Sequence, residues 1–225
     1  PFMIALKNEA LVYDQISKTL DRIINNDIAS TGNFGSEIIS KIPAILYAVA
    51  DMDAISFNKI ADTFDISRPK VAEIFQLLEK TETLIKIHPH GSHLNQAKKP
   101  SKYLFSSPAF RAMYYKTVGN IISPENTRGK LLEDLVGMYL NRILYKKTAV
   151  SLTYDSSEGG ADFILGIGNR KLIIEVGAGK KDYRQIINTS KKIKTDYNII
   201  ISQDPLEYSK ELNAIKVPLK IFLLI

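Results

Sequence analysis

Two short apolar runs, residues 161–167 and 171–176, flank the dipeptide Gly168-Asn169. Dipeptides of this kind are typical of two-residue β-hairpin loops. A loop of that length also sets the register, and this register places Asp162 directly opposite Glu175, with Cβ atoms about 4.5–5.5 Å apart on one face. The sequence therefore predicts an antiparallel hairpin that carries two facing carboxylates.

Like charges placed opposite each other destabilise a hairpin, so we expect the pair to have a use. A shared divalent cation is the simplest one, because Mg²⁺ takes few carboxylate ligands and keeps several waters. Such an ion could activate water and stabilise the charge of a phosphodiester transition state. We predict a Mg²⁺ site with Asp162 and Glu175 as ligands; the alternative is an exposed pair at a strand end, tolerated in water.

The rest of the second half alternates helical and strand patterns, which predicts a mixed-sheet α/β (α+β) fold. The expected elements are a helix at 128–145, strands at 149–154, 161–167 and 171–176, a helix at 183–193, a strand at 197–201 and a last strand around 217–225.

The first half has the element order of a winged helix-turn-helix. Ser56 and Ser67 can cap the second and third helices, and Pro69 suits a first helical turn. The expected elements are helices at 37–50, 57–64 and 68–80, then strands at 84–87 and 102–105 joined by a flexible polar loop. A further helix at 3–28, broken by residues 29–35, precedes them. We divide the chain into a helical linker segment (1–35), a winged-helix domain (36–115) and a third domain (116–225).

The net charge is +6, and residues 111–225 carry all of it, with 18 basic and 12 acidic side chains. Such a basic excess is typical of proteins that bind polyanions. We expect DNA binding without strong sequence preference; a solvated helix face, or a module that binds another protein, would also fit. The candidate DNA-binding residues are Arg68 and Lys70 on the third helix, Lys98, Lys99 and Lys102 in the wing, and Lys181, Arg184, Gln185, Lys191, Lys192 and Lys194.

Several classes of protein are excluded. The absence of cysteine excludes disulfides, thiolate zinc sites and thiol nucleophiles, and no apolar stretch reaches the ~20 residues of a membrane span. We expect a cytoplasmic protein without a membrane partner. The segment 177–181 superficially resembles a phosphate-binding loop, but Ile174 and Lys181 stand where that motif needs Gly and Ser or Thr.

Residues 160–165 and 172–176 resemble the core of the PD-(D/E)XK nuclease superfamily, which has Asp on one strand and Glu-x-Lys on the next. The resemblance implies that Asp162 and Glu175 hold the ion. It also implies that Glu133, in the preceding helix, positions the ion or its water, and that Gln185 belongs to the helix after the hairpin.

The chain departs from this pattern at Gly177, which stands where the superfamily has its lysine. Lys180 is the candidate to supply the missing charge and stabilise the developing phosphorane oxygens. The missing lysine favours a degenerate fold kept for DNA binding or assembly over a working Mg²⁺-dependent endonuclease.

Taken whole, the chain resembles the C-terminal region of a family of archaeal and bacterial AAA-type ATPases. This resemblance implies an upstream ATPase domain that binds ATP and is a partner of the present residues. The function expected is a DNA-binding, nuclease-like region of such an ATPase. The alternative is a protein–protein interaction or regulatory module of the ATPase without nuclease activity.

Overall fold

A computed structural model describes residues 8–118, 124–145 and 150–224. The first helix, α1 (Glu9–Arg22), begins at Asn8, whose side-chain oxygen accepts hydrogen bonds from the first-turn amides. It continues as a π-helical turn, Ile23–Ile28, and a short helical segment, Ala29–Thr31. The helix was predicted to break at residue 29, but it extends to Thr31, and the chain becomes extended at Gly32.

The helices that follow agree closely with the prediction, and one more was missed. They are α2 (Ser36–Asp51), α3 (Phe57–Phe64), α4 (Arg68–Lys80) and the unpredicted α6 (Pro108–Val118). Their apolar faces form one core, to which α1 contributes Ile16 and Leu20 and the π-helical turn after it contributes Ile24. The first helix is therefore packed into the helical region.

A hairpin follows α4. Its strands are β1 (Leu84–Pro89) and β2 (Lys102–Phe105), paired antiparallel. The segment between them was predicted to be a flexible polar loop, but it contains a helix, α5 (His93–Lys98). The prediction of a loop without secondary structure was therefore wrong over these six residues.

The second half contributes six strands to a mixed sheet. These are β3 (Ser151–Tyr154), β4 (Phe163–Ile167), β5 (Arg170–Val176), β6 (Tyr197–Ser202), β7 (Glu207–Ser209) and β8 (Ala214–Pro218). In the described residues the strand order is β2-β1-β3-β4-β5-β6-β8-β7. Because β1 pairs parallel with β3, the hairpin of the first half continues the sheet of the second. The α/β (α+β) class is confirmed.

The predicted register of the β4–β5 hairpin is confirmed. Phe163 pairs with Ile174 and Leu165 with Leu172, so the turn consists of Gly168 and Asn169. Gly168 has a φ of 57°, a conformation that glycine adopts readily. The prediction of a last strand around 217–225 was wrong, because β8 ends at Pro218 and a short helix, α9 (Leu219–Phe222), follows it.

Helices cover both faces of the sheet. On one face lies α7 (Pro124–Tyr139), which continues as a π-helical turn, Leu140–Tyr145, and packs Val136 against Phe163 and Ile174. On the other face α8 (Arg184–Ser190) packs Ile186 against Ile173. Across the described ranges, none of the helices combines the length and apolar character needed to cross a bilayer.

Candidate active site

Asp162 and Glu175 lie side by side where β4 begins and β5 ends. The Asp162 amide donates to a Glu175 carboxylate oxygen at 3.3 Å, and the Val176 amide donates to Asp162 Oδ2 at 2.9 Å. Only 1% of the Glu175 surface is exposed. The interpretation of the two residues as an exposed pair at a strand end is therefore wrong.

Lys181 supplies a cation to this pair. Its Nζ donates to Glu175 Oε1 and, at 2.7 Å, to Gln185 Oε1. A Cβ built on Gly177 would overlap the Cγ and Cε atoms of Lys181. The Lys181 side chain thus fills the space that a side chain at position 177 would occupy.

The structure therefore places Lys181, not Lys180, on the carboxylates. Lys180 is exposed and lines the neighbouring cavity. The backbone holds Lys181 in place, because its amide donates to Asp204 Oδ2 at 3.0 Å. Spacing alone could not distinguish the two lysines, since the glycines at 177 and 179 allow several paths for the chain.

Lys102 points into the same cluster. Its side chain is 9% exposed, and its Nζ pairs with Glu133 Oε1 and, at 3.4 Å, with Asp162 Oδ1. The rings of Tyr154 and Phe163 lie 5.5 and 5.7 Å from the same atom. The prediction that Lys102 lies near DNA phosphates was wrong, because its position on β2 directs the side chain inward to the carboxylates.

A second buried ion pair fixes the helix that carries Glu133. The Arg111 guanidinium on α6 donates to both carboxylate oxygens of Asp134, at 2.5 and 2.9 Å, and the Phe105 amide donates to Asp134 Oδ1 at 3.0 Å. Asp134 thereby ties α7 to α6 and β2, while the adjacent Glu133 meets Lys102. Arg111 and Asp134 were not predicted as paired residues, since their only sign in the sequence is a pair of adjacent acids in an amphipathic helix.

Burial and mutual repulsion perturb these carboxyl groups. Burial, and then the charge of Asp162, raise the pKa of Glu175 to about 8, against the effect of Lys181. Burial likewise raises the pKa of Glu133 to about 7, although Lys102 opposes it. Burial alone would lower the pKa of Lys102, but Glu133 and Asp162 more than offset this and hold that pKa above its usual value. Perturbed groups that line a cleft are typical of functional sites.

The residues present fit a Mg²⁺ ion with two protein ligands. Asp162 and Glu175 are adjacent, and Mg²⁺ in proteins is held by one or two carboxylates with waters and substrate phosphates. Within the described residues, no group of three or more His, Cys, Asp or Glu side chains could hold a metal. Glu133 is linked to Asp162 by the Lys102 ammonium, which pairs with both carboxylates.

Two adjoining cavities open on the site. One, of about 970 Å³, lies between α7 and the segment 177–181 and includes Arg128 and Lys130 in its lining. The other, of about 550 Å³, extends past Lys99 and the turn 155–160. Both are lined by Glu133, Asp162 and Gln185, so together they run across the carboxylates.

Two of the predicted DNA-binding lysines, distant in sequence, contact neighbouring serines of the turn that lines this second cavity. Lys99 donates to Ser156 Oγ at 3.0 Å, and Lys192 donates to Ser157 Oγ. Lys191 and Lys194, which are close to Lys192 in the chain, are exposed. The wing segment and the end of α8 therefore converge on one turn, next to Asp162.

The other predicted DNA-binding residues are more dispersed. Arg68 and Lys98 line a separate cavity of about 430 Å³. Arg184 is exposed and paired with Asp182. Lys70 pairs with Glu73 and lies over the Phe34 ring. Gln185 belongs to the carboxylate site, where its side-chain amide also donates to the Gly160 carbonyl at 3.1 Å.

Comparison with known proteins gives one informative similarity. A protein of Methanocaldococcus jannaschii described as uncharacterized is 34% identical over an alignment of 225 residues. The alignment covers 98% of this chain and 46% of that protein. The chain thus spans less than half of that relative. No protein-family model and no solved structure matches the chain.

Proposed function

We propose that this chain is a DNA-binding region with a Mg²⁺-dependent phosphodiesterase site made by Asp162, Glu175 and Lys181. One observation carries the proposal: the Lys181 side chain fills the space over Gly177 and contacts Glu175. Gly177 taken alone favours a degenerate site, but a lysine beside the paired carboxylates supports a working one. When bound, the divalent ion supplies Lewis-acid stabilisation and a more acidic water.

Each side chain has a distinct task in this proposal. Asp162 and Glu175 hold the ion. Lys181, an ammonium at the cavity wall, contacts the phosphate oxygens on which charge develops. Gln185 orients Lys181 by accepting its hydrogen bond while donating to the Gly160 carbonyl.

The charge around the cavities supports DNA as the substrate. Lys99 and Lys192 lie on one side of Asp162, and Arg128 and Lys130 line the cavity on the other. A phosphate backbone that follows the two cavities would meet cations before and after the carboxylates. Contacts of this kind carry little sequence information, which suits binding without sequence preference.

Cleavage is tested by incubating the chain with linear and plasmid DNA in Mg²⁺ or Mn²⁺. We expect the wild-type chain to cut, and Asp162→Ala and Glu175→Ala each to lose at least about 10²-fold in rate, the scale of removing one transition-state contact. Asp182→Ala is the matched control, because Asp182 is an exposed acid whose carboxylate pairs with Arg184. An inactive wild-type chain in both metals would refute the proposed enzyme.

DNA binding is tested by replacing Lys191, Lys192 and Lys194 together with Ala. We expect weaker binding and a salt dependence whose slope falls by up to about three, roughly one for each lost phosphate contact. The control replaces Lys18, Lys59 and Lys80, exposed lysines of the helical region, and changes the net charge equally. Equal effects of the two triple variants would contradict a DNA path along the end of α8.

The alternative function, a module that docks an ATPase domain or a partner protein, predicts neither cleavage nor salt-sensitive DNA binding. The resemblance to AAA-type ATPases implies that ATP is bound by an upstream domain. We propose that any ATP hydrolysis belongs to that domain and that the present residues act on DNA.

A further inference from the structure

The carboxylate cluster contains more charges than the proposed reaction uses. Its acids are Glu133, Asp162 and Glu175, and its ammonium groups are Lys102 and Lys181. With every group charged, one negative charge remains in excess. Four of the five come from the second half of the chain, whereas Lys102 comes from β2 of the first hairpin.

Backbone and side-chain contacts both hold the Lys102 ammonium in the cluster. Its backbone is in the ladder of β2 with β1, opposite Ile87. Its ammonium lies between Glu133 and Asp162, and the rings of Tyr154 and Phe163 lie beside it. This cation is therefore built into the site.

We propose that Lys102 takes the place of a second divalent ion, so that the site binds one divalent ion per chain. The inference rests on the proposed function, in which Asp162 and Glu175 hold that ion. Lys102 joins Glu133 to Asp162, the two acids that would otherwise share a further metal. It acts as a positioning residue, because it neutralises these two carboxylates and touches no reacting atom.

Charge balance supports a single ion. One divalent ion changes the excess of one negative charge into an excess of one positive charge, which the phosphate of the substrate can neutralise. A second divalent ion would face the Lys102 ammonium across the same two carboxylates. Repulsion between cations in a poorly solvated site opposes that arrangement.

The direct test counts the Mn²⁺ ions bound by the wild-type chain, by electron paramagnetic resonance of free Mn²⁺ and by titration calorimetry. We expect one ion per chain. Two ions would overturn the inference and leave the proposed function intact. The absence of any bound ion would overturn both, so the two failures are distinguishable.

A series of substitutions at Lys102 then tests whether its ammonium limits the number of bound Mn²⁺ ions to one. Lys102→Met keeps much of the apolar stem and removes the charge, so we expect two Mn²⁺ per chain and a larger rise in Tm on adding Mn²⁺. Lys102→Arg and the exposed control Lys59→Met, on α3 and outside the proposed site, should each bind one ion. A single ion in a folded Lys102→Met chain would overturn the inference; if that variant does not fold, the wild-type count and the Lys102→Arg count decide.

Discussion

Two neighbouring acids on α7, Glu133 and Asp134, belong to two buried charge clusters that differ in kind. Asp134 is fully buried and opposes one guanidinium, that of Arg111, which contacts both its oxygens. Arg111 also donates to the Ala50 carbonyl, so it ties α2, α6 and α7 together. Glu133 instead joins a cluster with an excess of acids, beside two cavities.

The difference separates a structural ion pair from the cluster that we propose to be the active site. A buried pair with matched charges and satisfied hydrogen bonds fixes the packing of its helices, and removing one partner is costly. A cluster with excess negative charge and raised carboxyl pKa values holds its charges unfavourably until a cation binds. A cluster of carboxylates with excess negative charge and raised pKa values is typical of a site that binds a ligand.

The largest change in the free energy of unfolding is expected from a substitution in the Arg111–Asp134 pair. Asp134→Asn leaves the Arg111 guanidinium buried without its counter-charge, so the free energy of unfolding should fall by about 3–5 kcal/mol. Urea denaturation measures the change. Glu9→Gln, which breaks the exposed pair with Lys116, is the control and should cost less than about 1 kcal/mol. Equal losses in the two variants would remove the distinction between the clusters.

The next effect is the pH dependence of the carboxylate cluster, and it is smaller for each pH unit than the loss expected for Asp134→Asn. Because the pKa of Glu175 is raised to about 8, the native chain retains a proton that the unfolded chain has released above about pH 4.5. Without divalent ions, the free energy of unfolding should therefore fall between pH 5 and 8, by up to about 1.4 kcal/mol per pH unit for this group. Glu175→Gln should flatten the slope. The measurement is urea denaturation in chelator across this range, and identical slopes in the two chains would contradict the account.

The smallest effect is expected at Glu133. Glu133→Gln removes one acid from the excess, and Lys102 keeps Asp162 as a partner. We expect the free energy of unfolding to change by less than about 1 kcal/mol at neutral pH. A loss as large as that of Asp134→Asn, measured by the same denaturation, would show that both clusters are structural.

Local signals predicted much of the fold. The bounds of α3 and α4 were predicted from Ser56, Ser67 and the apolar faces of the helices, and the β4–β5 register from a two-residue turn. The Ser56 hydroxyl accepts from the Lys59 amide as predicted, whereas Ser67 occupies the N-cap position without a side-chain cap hydrogen bond. These features depend on residues close in sequence. The pairing of β1 with β3 was not predicted, because strands about 65 residues apart along the chain carry no local sign of their contact.

The candidate site was predicted in part for the same reason. Asp162 and Glu175 come together through one turn, so register alone places them. Lys102 reaches the site only through the continuous sheet, and its position in a basic segment made it a candidate for phosphate contact. The choice between Lys180 and Lys181 depends on a backbone path through Gly177 and Gly179 that composition does not determine.

The central claim is that Lys181 replaces the lysine missing at Gly177, and one comparison tests it most directly. The rate of DNA cleavage in Mn²⁺ is measured for the wild-type chain, Lys181→Ala and Lys180→Ala under identical conditions. The account predicts that Lys181→Ala cuts about 10²–10³-fold more slowly, whereas Lys180→Ala stays within a few-fold of wild type. Comparable rates for the two variants, or a larger loss in Lys180→Ala, would contradict it.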